Sequence, residues 1–335
     1  MKRIGNLFEM TFSEENLYAA YLNARKGKRG KRACFEFEVN IGGNIKALHD
    51  ELFAEVYTPR PYHKFTVREP KPRLIRAPAF RDTVVQHAIY RAIYPIFNRC
   101  FISASFACRK GLGTHKASDY AQQALRQFDG ELYTLKLDIR KFFYSIDRDI
   151  LQRLIERKIK DGRFVGTMMM FAEMDAPVGI PIGNLLSQIY ALIYLDPLDH
   201  FIKRDLKIRR YVRYVDDFIL FGLTRRQCIE CKEKILKFLD EKLRLGFSKS
   251  IIQKVRKGVN FVGYRTWRGR RFIRKYSLHK FNRKVKRQKL QSVVSLLGHA
   301  RRTQSLRYML GIIRSAAPQM LNQLPKYYRK EALHA

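Results

Sequence analysis

Asp216 and Asp217 stand side by side in Tyr211–Gly222, YVRYVDDFILFG, a run that is otherwise apolar, aromatic and β-branched. Two like charges in such a setting are costly unless a cation compensates them. A divalent ion does so naturally, and Mg²⁺ takes carboxylate oxygens as ligands, as does Mn²⁺. A polar hairpin turn is the other reading of an Asp-Asp pair, and the stretch by itself leaves both open. A third carboxylate, Asp138, lies in ELYTLKLDIRKFF. There Leu135, Leu137 and Ile139 mark one face of a strand, and Asp138 falls on the other. It is either capped by a neighbour or binds metal. In PKPRLIR, Lys71 and Arg73 project from one face of an extended segment. Paired cations suit a triphosphate; a solvated edge strand protected by its charges is the alternative.

The elements around these residues follow from periodicity. The YVRYVDDFILFG run reads as two short strands with an acidic turn between them. Ser145 and Asp147 precede a helical pattern, which makes Asp147 an N-cap and leaves it out of the chemistry. In APVGIPIGNLLSQIYALIYLDPLDHFI a Pro and Gly loop feeds a long apolar helix. Gly183, Asn184 and Ser187 sit at its start, where small residues and open N–H groups let a ligand approach, and Pro197 kinks or ends it. Helices are expected over Asn16 to Lys26, opened by Ser13-Glu14-Glu15, over Asn44 to Val56, from about Asp82, and over Arg225 to Leu243. The basic loop Lys26 to Arg32 is either a solvated turn or a phosphate contact. Val259 to Tyr264 alternates as a strand pair with Gly263 at the bend.

The bulk composition narrows the class of partner. Of 335 residues, 67 are Lys or Arg and 30 are Asp or Glu, a formal charge of +37. Self-repulsion of that size is best tolerated when a polyanion neutralises it, so nucleic acid is the expected partner, with binding that weakens steeply in salt. From Arg265 onward the only acidic residue is Glu331, and that tail has helical spacing in FNRKVKRQKLQSVVSLL and SLRYMLGIIRSAA, a basic helical subdomain suited to gripping a duplex. No apolar run reaches the roughly 18 residues of a membrane span, and the N-terminus carries no secretory signal. The five cysteines form an odd set that fits a reducing cytoplasm. Cys228 and Cys231 make a single CxxC whose spacing suits an ordinary helix better than a zinc site.

Taken in order, PKPRLIR, LDIRKFF, IPIGNLLSQ, YVDD, LGFSKS and FVGY resemble the ordered blocks of reverse transcriptases over roughly residues 55 to 275. The loop-helix block Ile182-Gly183-Asn184-Leu185-Leu186-Ser187-Gln188 looks like that of the reverse transcriptases of diversity-generating retroelements. RDTVVQHAIYRAIYPIF is shared with group II intron enzymes.

That resemblance implies an α+β right-hand polymerase with an N-terminal extension (1–50), fingers (51–130), a palm of antiparallel sheet and helices (131–274) and a basic helical thumb (275–335). It implies RNA-directed DNA synthesis by two-metal phosphoryl transfer. Asp138 and Asp216 would hold two Mg²⁺ ions, or Mn²⁺, assisted by the Ile139 carbonyl, with Asp217 beside them. Lys71, Arg73, Phe143, Ile182 and Gly183 would bind the dNTP, Phe143 by blocking a ribose 2′-hydroxyl. Lys249 would lie near the leaving group, and Phe261, Val262, Gly263 and Tyr264 would form the primer grip. Ile182 replaces the glutamine found in many relatives and offers shape without a hydrogen bond, which implies low fidelity, with misincorporation opposite adenine. The implied partners are template RNA, the RNA/cDNA duplex and a small, basic, helical, oligomeric accessory protein, in the cytoplasm of a bacterium or encoded by a phage. A group II intron-type enzyme, an antiphage reverse transcriptase and a non-catalytic RNA-binding splicing cofactor are the competing readings.

Overall fold

The computed structural model describes residues 3–68 and 72–333. The fold is α+β, and the chain divides into two compact units, each built from three segments. Lys71 lies outside the described residues.

The first unit comprises Met1–Ile102, Ile139–Asp205 and Lys234–Ser248. Its centre is helical. Phe80–Asn98 buries Val84, Val85, Ala88, Ile89, Ile93 and Phe97, and Leu185–His200 is buried nearly all round, with Leu186, Ile189, Tyr190, Ile193 and Tyr194 among its covered residues. A helix apolar on every side belongs in a core. Ser13 caps Glu14–Ala24 through the Asn16 N–H, and Asn40 caps Ile41–Phe53 through the Gly43 N–H. Both helices therefore begin and end two or three residues before the positions read from apolar spacing. The loop after Lys26 is solvent-exposed and runs into a further helix, Arg32–Val39, that the sequence reading did not include. Leu185–His200 continues past Pro197 and passes into a π-helical turn, Phe201–Asp205, instead of stopping there. Strands β1 (His63–Arg68) and β2 (Pro72–Ala77) form an antiparallel hairpin with Val67 opposite Arg73.

The second unit comprises Ser103–Asp138, Leu206–Glu233 and Lys249–Ala335. Its main sheet joins β3 (Tyr133–Ile139), β4 (Arg210–Tyr214), β5 (Asp217–Leu223) and β6 (Phe247–Lys254) in the order β4-β5-β3-β6. β3 alternates as read: Leu135, Leu137 and Ile139 are buried, whereas Lys136 and Asp138 are only half covered. A second sheet holds β7 (Val259–Phe261), β8 (Tyr264–Thr266) and β9 (Arg271–Ile273). Against it pack Lys275–Lys286, Leu290–Ala300, Ser305–Ala316 and Lys326–Leu333 around Phe281, Val293, Leu297, Met309 and Ile313. The expected basic helical tail is present, with FNRKVKRQKLQSVVSLL broken at Gln288, whose φ is +49°. Cys228 and Cys231 are buried on Arg225–Leu243, and the five cysteines form no disulfide among the described residues. No described helix is long and apolar enough to cross a membrane.

Asp147 caps Arg148–Glu156 by accepting from the Ile150 N–H at 3.0 Å, and Arg244 reaches its other oxygen at 2.6 Å. Burial pushes this carboxyl up, but those two donors outweigh it and hold it below its ordinary value. Arg244 is 69% exposed, so most of the stabilisation belongs to the cap and not the ion pair. Asp147→Ala is therefore expected to cost about 1–2 kcal/mol in urea unfolding at neutral pH. Because the folded-state carboxyl titrates low, this contribution is present above the ordinary value near 3.8 and lost as pH falls through the lower folded one. The gap between wild type and variant should close in acid.

Candidate active site

A two-residue turn, Val215-Asp216, joins β4 to β5, with Tyr214 opposite Asp217. Val215 has φ +57°, a conformation that a β-branched side chain adopts only under strain. What enforces it is Arg213, wholly buried, whose Nη1 donates to the Val215 carbonyl at 3.0 Å. The Arg213 backbone is fixed in turn: its N–H donates to Ala104 O and its carbonyl accepts from Phe106 N, both at 3.0 Å. The segment Ala104 to Phe106, well before β3 in the chain, thus clamps the edge strand that carries the turn, and no periodic pattern marks it.

The carboxylates meet on the next strand over. Asp138 on β3 lies directly opposite Asp217 on β5, and Asp216 precedes Asp217 in the turn. Lys136, two residues before Asp138 and on the same face, donates from Nζ to Asp217 Oδ2 at 2.7 Å and to the Asn260 carbonyl of β7 at 2.6 Å. Its ammonium also stands 5.8 Å from the Phe261 ring centroid. Burial pushes the Asp217 carboxyl up; the nearby Lys136 and Arg274 pull it down, and the Asp138 charge pushes it up again. The second oxygen, Asp217 Oδ1, is buried with no hydrogen-bond partner.

An orphaned anionic oxygen facing a second carboxylate fits a divalent cation. Among the described residues, no group of three or more His, Cys, Asp or Glu side chains is arranged to hold one.

Most residues expected to face the nucleotide belong to the first unit. Arg73 is exposed on β2. The Ile182 carbonyl accepts the Arg76 N–H of the same strand at 2.7 Å. Gly183 follows with φ +112°, and a Cβ there would lie 2.6 Å from Ile75 Cγ2, so only glycine permits this approach of loop to strand. Phe143 is half-buried, edge-on to Phe142, and its carbonyl accepts the Ile180 N–H at 2.8 Å. Arg148 latches the same loop through the carbonyls of Ala176 and Gly179.

One expectation is corrected here. The N–H groups at the start of Leu185–His200 are not open to a ligand. Asn184 Oδ1 accepts those of Leu186 and Ser187, and Gln86 Oε1 accepts that of Leu185. A buried helix end needs such partners, and a glutamine a hundred residues upstream gives no local sign of supplying one.

Ile139 ends β3 as a buried residue, and Lys249 is exposed on β6. Between β7 and β8, Val262 and Gly263 both have positive φ, +43° and +91°, the geometry of a tight hairpin turn. Phe261 and Tyr264 flank it and are fully buried. The accessible part of this hairpin is the half-buried Val262-Gly263 turn, with Phe261 and Tyr264 as its footing.

Residues 63–266 match the family model described as reverse transcriptase (RNA-dependent DNA polymerase). The chain belongs to the reverse transcriptase family. It is similar to protein YkfC of Escherichia coli, 25% identical over 281 residues that cover 70% of this chain and 74% of that protein. It is also similar to the group II intron-encoded protein LtrA of Lactococcus lactis, 24% identical over an alignment covering 84% of this chain and 58% of LtrA. Among solved structures, telomerase from Candida albicans matches 82% of this chain and 59% of its own at 14% identity, with a TM-score of 0.49. A foamy viral protease-reverse transcriptase matches 87% and 46% at 17% identity, with a TM-score of 0.43.

Lys136 and Asp217 are 14% and 23% exposed on their side chains, so each is poorly compensated without the other. Lys136→Met is expected to destabilise by about 2 kcal/mol by stranding the Asp217 charge. Adding Asp217→Asn should recover part of that loss, giving a non-additive cycle in urea unfolding. Additive losses would show that the two groups do not depend on one another.

Proposed function

We propose that this reverse transcriptase copies a template RNA into cDNA with low fidelity, as the polymerase of a diversity-generating retroelement. The observation that carries polymerase chemistry is the opposition of Asp138 and Asp217, with an unsatisfied carboxylate oxygen, beside the Asp216 turn. In this reading residues 51–130 serve as fingers, 131–274 as palm and 275–335 as thumb, after an extension over 1–50.

Asp138 and Asp216 would hold the divalent ions, Mg²⁺ or Mn²⁺, with the Ile139 carbonyl, and Asp217 would join them through its unpartnered Oδ1 while Lys136 holds its other oxygen. When bound, such ions promote loss of the primer 3′-hydroxyl proton and neutralise charge on the departing pyrophosphate. The 3′-oxygen then forms its bond to the α-phosphorus as the bond to pyrophosphate breaks. Lys71 and Arg73 contact the triphosphate, and Lys249 stands by the leaving group. Phe143 closes against a ribose 2′-hydroxyl, and the 261–264 hairpin supports the primer.

Ile182 supports the low-fidelity reading. Its side chain is aliphatic and half exposed, so it discriminates by shape alone, and apolar contact of that kind is worth about 1–3 kcal/mol. A glutamine at this place would add a hydrogen bond. The accessory protein of such an element, small, basic and helical, and the element's structured RNA complete the proposal. The similarity to LtrA favours a second reading, a group II intron-type enzyme. A template repeat and a matching variable repeat beside the gene would distinguish the two.

Primer extension on a template containing all four bases is the direct test. Asp216→Ala should abolish extension, and wild-type extension by that variant would end the catalytic assignment. The wild-type enzyme should misincorporate chiefly opposite adenine, and Ile182→Gln should lower that error several-fold. Equal, low error opposite every base would overturn the retroelement reading while leaving the polymerase in place.

A further inference from the structure

Two adjoining cavities of about 360 and 490 Å³ lie in the first unit, sharing Leu154, Arg157, Pro197, His200 and Arg204 as a common wall. None of their lining residues has a role in the chemistry assigned above. Six cations line them: Lys158 is half-buried, and the other five, Arg99, Arg153, Arg157, Arg204 and Lys242, are exposed. None of the five forms an ion pair with a carboxylate among the described residues, in contrast to Arg226 and Lys237 on the nearby helix, which pair with Glu230 and Glu241. Two carboxylates also line the cavities: Asp196, which lies 3.5 Å from His200, and Asp205.

The arrangement is not that of a scattered basic surface. Arg153 and Arg157 are four positions apart and so share a helix face. Arg204 is delivered by the π-helical turn Phe201–Asp205, a rare element that recurs at functional sites. Beneath them the floor is apolar: Pro197 lies beside Phe201 and Phe238, whose rings stack with centroids 4.4 Å apart. Four guanidinium forks over an apolar floor suit a strand with regularly spaced anionic groups and flat apolar faces.

We propose that this groove is a second nucleic-acid site, holding a single-stranded stretch of RNA outside the duplex being copied. The charge excess selects this occupant, since a basic accessory protein would be repelled by the five cations. The proposal rests on the template-copying reading, because that reading supplies a long RNA of which only a short part is paired at any moment.

The test compares two probes by filter binding without nucleotide: a short blunt RNA/DNA hybrid, and the same hybrid with a single-stranded RNA extension on its template. Using the Asp216→Ala background keeps binding separate from catalysis, so failure here leaves the polymerase reading standing, and an inactive polymerase leaves the binding result standing. In the triple variant Arg153→Gln, Arg157→Gln, Arg204→Gln, affinity for the extended probe should fall about tenfold. The slope of log affinity against log salt should shrink by about 2, near 0.7 per lost phosphate contact. Affinity for the blunt hybrid should not change. A control that removes the same charge elsewhere, Lys46→Gln, Arg226→Gln, Lys237→Gln, each paired with a carboxylate, should affect neither probe.

Equal losses on both probes, or equal losses in the control, would reduce the groove to general charge and overturn the proposal. So would tight binding of an acidic peptide that RNA cannot displace. Should the triple variant fold poorly, wild-type protein crosslinked to a 4-thiouridine extension decides. Crosslinks within 148–158 or 200–205 are expected, and their absence from both segments refutes the site.

Discussion

Two carboxylates facing each other across a pair of antiparallel strands are unfavourable unless something positive is kept beside them, and the catalytic sheet is built around that constraint. Asp138 and Asp217 occupy opposed positions because of the register of β3 and β5, and a slip of β5 by one residue would turn Asp217 to the face away from Asp138. The protein sets the Lys136 ammonium on Asp217 Oδ2 and the Arg274 charge nearby. Asp217 Oδ1 stays without a partner. Had a second cation closed the network, the sheet would be more stable and the site unable to accept an ion. A residual electrostatic imbalance thus persists in the sheet, a local cost met by the packing around it.

Lys136 also ties that imbalance to the second sheet. Its bond to the Asn260 carbonyl lies one residue from Phe261, next to the Val262-Gly263 turn whose position would support a primer. Tyr264, on the far side of that turn, is buried in the same apolar core as the basic helices. Whatever shifts the helical region relative to β7 therefore acts on the Asp217 carboxylate through a single short side chain. The strained Val215 turn is secured from the other side by buried Arg213. Both cations are structural, yet each ends on an atom of the acidic hairpin or beside it, so part of the positive charge that composition alone would assign to nucleic acid is spent inside the protein.

Strands and long helices were legible because their signals are local. β3 alternates from Leu135 to Ile139, the acidic pair sits between two β-branched runs although the turn falls on Val215-Asp216 and Asp217 already belongs to β5, and Asp147 precedes a helix as a cap should. Boundaries of the early helices were less so, because Ser13 and Asn40 compete with apolar spacing and the cap prevails. What could not be read were partners distant in sequence. Gln86 fills the N–H of Leu185, Ala104 and Phe106 grip Arg213, and Arg148 latches the 176–179 loop; each joins groups whose spacing carries no period. Lys136 was within reach, since it shares a strand face with Asp138 and any cation two residues from a buried acid is a candidate counter-charge.

The loop at Ile182 shows how a fold can leave specificity adjustable. Its backbone is held by the Ile182 carbonyl on β2 and by Gly183 in a conformation that other residues cannot share, then by Asn184 capping the helix. None of these constraints involves the Ile182 side chain beyond Cα. The residue can therefore change from one that offers shape to one that offers a hydrogen bond without disturbing the strand, the turn or the helix. Glycine and asparagine carry the architecture, and the isoleucine between them and the strand contributes its carbonyl. At this position the side chain can be exchanged at little cost to the frame around it.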